Sequence, residues 1–278
     1  SVVGTGYVHT DEEQLSRCAS DHTEDLHYLP EVVVQPDNTA EVSAIMRYCN
    51  THNISVTPRG AGTGLSGGAL PVTGGVVLDM KRFNRILHVD SRNFQVTTEP
   101  GVITQELQEH VKAQGLFYPP DPASKGSCFI GGNVSENSGG PRAVKYGVVK
   151  DYVLNLEVVM PNGEIIWTGA NVLKNATGYN LTQLVVGSEG TLCVITKIVL
   201  RLIPAVKHDL LMLVPFRSAV QACEAVNAVF LAGFTPSALE FMERDAIEWS
   251  MRYVQATGIN LPPDIAAHLL IEVDGNNM

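Results

Sequence analysis

Two glycine-rich passages carry residue types that could bind a phosphorylated ligand. The first, residues 58–68, begins with Pro58-Arg59 and then alternates glycine with small residues. Glycine adopts positive φ angles and leaves the backbone N–H groups bare, so consecutive amides can converge on one anion, usually a phosphate. This passage therefore predicts a phosphate-binding loop.

The same loop matches the GxGxxG pattern of a Rossmann dinucleotide site between Gly62 and Gly67. That pattern has meaning only between a strand and the helix that the loop opens. Here Pro71 and a further apolar strand, residues 76–80, follow the glycines and leave no room for a helix. The loop is predicted to run from strand to strand, outside a Rossmann fold.

The second passage extends from Tyr118 to Gly140. Three prolines within residues 118–122 enforce an extended backbone, and two Gly-Gly pairs then flank a stretch rich in Ser and Asn. Such a segment favours close approach of the backbone to a flat or phosphorylated ligand. A flexible surface loop is the alternative interpretation.

Regular elements must position these passages. Apolar runs predict strands at residues 32–34, 54–57, 76–80, 86–90 and 95–99, with a helix whose stripe is Val42, Ile45, Met46 and Cys49. Asn162-Gly163 between two apolar runs predicts a hairpin. After Lys207, a strand, a helix, a strand, a helix and a strand follow in turn.

Composition sets outer limits. The 278 residues suffice for two domains, and a formal charge of -10 argues against a nucleic-acid surface. Five widely spaced cysteines without a CxxC pair favour free thiols in a reducing compartment. Neither a membrane span nor a secretory signal is expected. His22 and His27 lie in a polar lead-in and are expected to be solvated rather than to bind a metal.

Four passages in order carry a family resemblance: residues 58–68, Pro119-Pro120-Asp121-Pro122, residues 130–140, and residues 178–192 with their Gly-Ser-Glu-Gly-Thr-Leu run. Together they resemble the FAD-linked oxidases and dehydrogenases related to vanillyl-alcohol oxidase, specifically the branch of D-2-hydroxy-acid dehydrogenases and the FAD subunit of glycolate oxidase. The resemblance covers about residues 30–205.

The resemblance implies an α+β fold: a PCMH-type FAD-binding domain of two α/β subdomains, followed by the start of a ferredoxin-like cap. The expected divisions are a lead-in over residues 1–30, an FAD-binding domain over 31–205 (subdomains about 31–90 and 91–205), and a partial substrate-binding cap over 206–278.

The resemblance also implies the cofactor contacts. The loop wraps the FAD pyrophosphate, the second passage lies along the flavin and ribityl chain, and the Ser-Glu-Gly turn lies near the adenine and ribose. The expected FAD-binding residues are Arg59, Gly60, Ala61, Gly62, Thr63, Gly64, Leu65, Ser66, Pro120, Asp121, Ser127, Gly131, Gly132, Asn133, Ser138, Gly139, Gly140, Gly147, Glu189, Gly190 and Ile195. Lys174-Asn175 also matches the family, and the resemblance places it near the cofactor.

FAD is expected to be non-covalent. Some relatives tether it through a histidine inside the first loop, whereas here His52 and His88 both lie outside that loop. No metal site is expected in this chain. In the hydroxy-acid branch, the metal-binding histidines, the substrate-carboxylate arginine and the base follow the point where this sequence stops, so no catalytic residue is assigned.

The implied function is oxidation of a D-2-hydroxy acid, such as glycolate or D-lactate, to the 2-oxo acid by hydride transfer to FAD N5. The electron acceptor is a quinone, an electron-transfer protein or oxygen. The alternatives are a non-catalytic FAD-binding subunit of a larger oxidase complex and a UDP-sugar oxidoreductase that shares the FAD domain. A homodimer or a complex with other oxidase subunits is the expected assembly. The expected location is the cytoplasm, with peripheral attachment to the inner membrane as a second option.

Overall fold

The computed structural model describes residues 2–255 and 261–276. The helices in this part are α1 (Glu12–Cys18), α2 (Thr39–Thr51), α3 (Thr104–Lys112), α4 (Ile130–Glu136), α5 (Ala143–Tyr146), α6 (Leu181–Val185), α7 (Ala219–Leu231) and α8 (Arg244–Tyr253). The strands are β1 (Val8–His9), β2 (Val32–Val34), β3 (Val56–Arg59), β4 (Val76–Asp79), β5 (Ile86–Asp90), β6 (Gln95–Thr98), β7 (Leu116–Phe117), β8 (Val153–Val159), β9 (Ile165–Trp167), β10 (Val194–Arg201), β11 (Ile203–Pro204), β12 (His208–Phe216), β13 (Ala238–Glu243) and β14 (Ala267–Gly275). This mixture confirms the α+β class.

The chain divides into two compact units. The first contains the chain up to Tyr118, then Pro122–Ser138 and Val148–Pro204; the second contains Pro119–Asp121, Gly139–Gly147 and the chain from Ala205 onward. Two short pieces of the expected FAD-binding range thus belong to the second unit. The domain boundaries drawn from the sequence stay a prediction.

The first sheet positions the glycine loop. Its strand order is β1-β2-β4-β3, in which β2, β4 and β3 are parallel. The predicted stripe of α2 is buried in the core beside β2 and β4, through Val42, Ile45, Met46 and Cys49. The connection from β3 to its neighbour β4, residues 60–75, contains no helix. The strand-to-strand prediction is confirmed, and a Rossmann site is excluded because no helix follows the loop.

The second sheet is antiparallel, with the order β5-β6-β10-β8-β9. The predicted hairpin between β8 and β9 turns at Asn162-Gly163, where Gly163 has a φ of 84°. Strand β10 occupies the centre and is buried along most of its length. The chain enters β10 directly from the turn at Glu189-Gly190, so this sheet places that turn.

The second unit contains a three-stranded antiparallel sheet, β12-β14-β13. Helix α7 covers one face, where Ala222, Ala267, Leu269 and Ile271 form the core. Because side chains alternate along a strand, Glu272 belongs to the opposite face of β14. The predicted order of strand, helix, strand, helix and strand after Lys207 is confirmed.

The lead-in contains more structure than its weak pattern indicates. It forms α1, and Val3, Cys18 and Ala19 are buried, while His22 and His27 are exposed. Across the described ranges, no three His, Cys, Asp or Glu side chains gather in a way that could hold a metal ion. None of the helices in these ranges combines the length and apolarity needed to cross a bilayer.

Candidate cofactor-binding site

The loop after β3 presents unused hydrogen-bond donors. None of the main-chain amides of residues 61–69 donates a hydrogen bond to another described residue. Gly62 and Gly67 have φ values of 71° and 79°, in the region that favours glycine. Amides left unpaired in this way suit an anion bound through the backbone.

The side chain of Arg59 stabilises this loop through hydrogen bonds to main-chain carbonyls. Its guanidinium is buried and donates to the carbonyls of Ser20 (2.6 Å), Cys18 (3.2 Å), Arg17 (3.3 Å) and Ala69 (3.4 Å). These bonds join the C-terminal end of α1 to both ends of the glycine run. The guanidinium therefore shapes the loop, and the prediction that Arg59 binds the cofactor concerns its main chain.

Helix α4 carries Gly131-Gly132, the first Gly-Gly pair of the second glycine-rich passage. The sequence did not predict a helix there. A Cβ on Gly131 would lie 2.4 Å from Cβ of Pro100, so only glycine allows this packing. Beyond its own stretch of helix, a Cβ on Gly132 would meet no atom of the described residues within 4 Å, and Cα of Gly132 lies 3.7 Å from the Cβ position of Gly60. The helix thus packs closely on Pro100 at Gly131 and leaves open space at Gly132, beside the loop.

A cavity with about 580 Å³ of empty space, part of it open to solvent, lies where these elements meet. Its walls come from β3, the end of the loop, α4, and the turn before β10. The lining includes Arg59, Gly60, Gly68, Gly131, Gly132, Ser135, Glu136, Glu189, Gly190, Cys193 and Ile195. The structure therefore brings predicted residues from three distant passages to one cavity.

The turn before β10 is fastened to α4. The amide of Glu189 donates to the carbonyl of Ser135 (3.0 Å), and that of Gly187 donates to the carbonyl of Val134 (3.0 Å). Glu189 and Gly190 have φ values of 53° and 73°. This left-handed turn fixes how the chain enters β10 beside the cavity.

A second cavity, with about 530 Å³ of empty space, lies on the loop side. It is lined by Gly60, Ala61, Gly62, Thr63, Gly64, Cys128, Gly132, Asn133, Glu136 and Ser138, among others. The side-chain amide nitrogen of Asn133 donates to the hydroxyl of Thr104 (2.6 Å). Gly60 and Gly132 border both cavities, which therefore flank one close approach of loop and helix.

Fixed charge in these cavities is mostly negative. Glu136 and Glu189 line the walls, and Oε2 of Glu136 accepts from the hydroxyl of Ser66 (2.8 Å). An anion here would depend on backbone amides rather than on lysine or arginine side chains. Burial raises the pKa of the Cys193 thiol to about 11, so this thiol is protonated at neutral pH and is a weak nucleophile.

Other predicted residues lie elsewhere. Leu65 is 78% exposed, and the hydroxyl of Ser127 donates to the carbonyl of Ser124 (3.2 Å). Pro120, Asp121, Gly139, Gly140 and Gly147 belong to the second unit. Lys174 and Asn175 are exposed.

Sequence reasoning did not identify Met80, Pro100, Ser135, Glu136 or Cys193 as cavity residues. Ser135 and Glu136 fall inside the second glycine-rich passage, and a helical pattern there would have placed them on α4. The others come from separate elements, and no local signal in the sequence joins them to the site.

Comparison with known proteins supplies the identity of the ligand. A family model described as "FAD binding domain" matches residues 30–169, and one described as "FAD linked oxidases, C-terminal domain" matches residues 206–278. The chain is 43% identical over 255 residues to glycolate oxidase subunit GlcD of Bacillus subtilis (strain 168), covering 92% of the chain and 54% of that protein. It is 42% identical over 254 residues to D-lactate dehydrogenase of Anaerostipes hadrus, covering 89% and 53%.

Among solved structures, alkyldihydroxyacetonephosphate synthase matches with a TM-score of 0.84 at 21% identity, over 98% of this chain and 53% of that one. This match shows a shared fold. The chain spans about half the length of the relatives it matches. The unused loop amides and the open space at Gly132 fit a bound dinucleotide.

Proposed function

The chain belongs to the FAD-linked oxidases and has FAD as its cofactor, and from this premise we propose that the protein oxidises a D-2-hydroxy acid of the glycolate or D-lactate type to the 2-oxo acid. The support for this substrate class is the pair of relatives whose names specify glycolate oxidase and D-lactate dehydrogenase. The observation that carries the flavin role is the run of unpaired amides beside the open space at Gly132.

In this proposal the main chain of residues 59–66 binds the FAD pyrophosphate. Gly132 leaves room along α4 for the rest of the cofactor, with Gly131, Asn133 and Ser138 as further proposed contacts there, and Glu189, Gly190 and Ile195 lie at its adenine and ribose end. Ser127, and from the second unit Pro120, Asp121, Gly139, Gly140 and Gly147, complete the proposed contacts. When bound, FAD accepts a hydride from the carbon that bears the substrate hydroxyl.

We infer that FAD is held without a covalent bond. His52 caps the end of α2, where its Nδ1 lies 2.8 Å from the carbonyl oxygen of Tyr48, and His88 is exposed on β5. Loop residues 58–68 contain no histidine. Acid precipitation should therefore release all the flavin into the supernatant, and flavin that remains with the precipitate would contradict this inference.

A second candidate is an FAD-binding subunit that works within a larger oxidase complex. The word "subunit" in the name of the glycolate oxidase relative favours it, and this candidate includes a complex with other oxidase subunits. The two candidates differ in whether the isolated protein reduces its own flavin.

The test is anaerobic reduction of the bound flavin in the full-length protein. Glycolate, D-lactate and D-2-hydroxyglutarate are added in turn, with L-lactate as the stereochemical control. Bleaching of the oxidised-flavin absorption by one D-acid or by glycolate, and not by L-lactate, is the expected result. If no acid bleaches the flavin until partner subunits are added, the subunit candidate is favoured. If no acid bleaches it in the complex either, the hydroxy-acid proposal is wrong.

A further inference from the structure

Two acids on β14 face two bases, one at the N-cap of α5 and one within that helix. Glu272 and Asp274 are two residues apart on a strand, so their side chains share one face. Arg142 and Lys145 are three residues apart at the start of α5 and within it, so they lie on one side of that helical turn. All four belong to the second unit, and the spacing lets each base reach one acid.

The contacts follow this pairing. Nη2 of Arg142 lies 2.7 Å from Oε1 of Glu272. Lys145 forms an ion pair with the Asp274 carboxylate and also donates to its carbonyl oxygen at 3.0 Å. The hydroxyl of Tyr146 donates to Oδ2 of Asp274 at 2.8 Å. The Asp274 side chain is only 1% exposed, so these charge-assisted bonds form largely out of water and are of the strong kind.

A further tie anchors the start of the same segment. The amide of Arg142 donates to Oδ1 of Asp121 at 3.3 Å, and its Nε lies 3.7 Å from Oδ2. A Cβ on Gly140 would lie 2.4 Å from the carbonyl oxygen of Asp121, and Gly140 has a φ of 150°. The backbone of residues 139–147 is therefore fixed at several points along its length.

Arg142 and Lys145 compensate the negative charges of Glu272 and Asp274. Asp209 lies directly opposite Asp274 across the β12–β14 pair, and like charges in that position repel. Neutralising one member of a buried ion pair leaves the other charge uncompensated, and the segment that carries it then moves to reach water.

We propose that Asp274 and Glu272 are positioning residues for the cofactor, acting through Lys145 and Arg142 to hold the segment Gly139–Gly147 in the conformation that contacts FAD. This inference rests on the proposed function, because three glycines of this segment are among the proposed FAD contacts. The two acids do not themselves touch the cofactor in this proposal. They set the shape of a backbone that does.

The test uses the full-length protein with Asp274→Asn, which keeps the shape of the side chain and removes its charge, and Tyr146→Phe as a milder variant. Glu224→Gln on α7 is the matched control, because it removes a carboxylate charge from the same unit, and Glu224 is exposed with no hydrogen bond or ion pair among the described residues. Two properties are measured: FAD affinity, by titrating apoprotein and following flavin fluorescence, and amide hydrogen exchange of residues 139–147 without FAD.

Asp274→Asn is expected to weaken FAD binding about tenfold, equivalent to about 1.4 kcal/mol, and to change the shape of the bound flavin's absorption bands. Exchange of residues 139–147 should rise about fivefold or more, while Glu224→Gln leaves both properties unchanged. Lys145→Arg should retain the affinity that Lys145→Gln loses.

If amide hydrogen exchange of residues 139–147, measured without FAD, is the same in Asp274→Asn as in the unaltered protein, the inference is wrong. Faster exchange with unchanged affinity and spectrum would also overturn it, because the ion pairs would then serve the fold alone. If the unaltered protein binds no FAD, the proposed function fails first, and that outcome is distinct because it appears before any variant is compared.

Discussion

Replacing Gly132 with alanine adds one methyl group at the point where α4 faces open space. Outside its own helix backbone and chain neighbours, the new Cβ would meet no atom of the described residues within 4 Å, so the apoprotein has no reason to be destabilised. Alanine is a better helix former than glycine, and the apoprotein should gain up to about 1 kcal/mol of stability. In the complex, the methyl group would occupy space that we assign to FAD. Overpacking of this kind costs about 1–3 kcal/mol, which corresponds to about 5- to 150-fold weaker binding.

Two further glycines are the controls for Gly132→Ala. Gly6 also has nothing within 4 Å of its Cβ position but lies on the surface outside both cavities, so Gly6→Ala should bind FAD normally. Gly131→Ala should fail to fold properly, because its Cβ would collide with Pro100. The measurements are thermal unfolding of apoprotein and fluorescence titration with FAD. If Gly132→Ala is stable and binds FAD within about twofold of the unaltered protein, the open space above α4 is not occupied by the cofactor.

Three other expectations concern the frame around the site. Arg59→Lys should lower the free energy of unfolding by about 3 kcal/mol in denaturant titrations, because lysine cannot span the diverging carbonyls that the guanidinium joins. Burial alone raises the pKa of Glu157, but hydrogen bonds from two threonines and Lys197 hold it below its usual value. Its stabilisation is therefore complete above about pH 4.5 and is lost as the pH falls through the lowered pKa, so Glu157→Gln should flatten the stability measured by urea unfolding across that acid range. A thiol reagent should label exposed Cys223 in the native protein and reach Cys193 only after unfolding, as mapped by mass spectrometry.

Much of the frame could be predicted from the sequence because its signals are local. The α2 stripe repeats every three to four residues, the strands beside the loop are short apolar runs, and Asn162-Gly163 marks its own turn. The glycine loop, residues 58–68, could be predicted for the same reason, because a run of neighbouring glycines is itself the signal for exposed backbone. These features need no knowledge of the rest of the chain.

Helix α4 shows where local signals fail. Residues 130–136 include two glycines and an asparagine, all weak helix formers, so the composition favours a loop. The helix forms because Gly131 packs on Pro100 and because Asn133 bonds to Thr104. Both partners lie more than twenty residues away in the chain. Tertiary contacts thus overrule local preference in a helix that borders both cavities.

The lead-in, residues 1–30, helps to order the glycine loop. A segment so rich in glycine loses much conformational entropy on ordering, and the amides of residues 61–69 donate no hydrogen bond to the described part of the chain that would hold it. Order must therefore come from outside the loop. The guanidinium of Arg59 supplies it by joining the carbonyls of Arg17, Cys18 and Ser20 to that of Ala69, and the amide of His22 adds a bond to the carbonyl of Gly64 at 3.1 Å. Residues that resemble a solvated lead-in in the sequence thus hold in place the loop whose amides we propose as phosphate ligands.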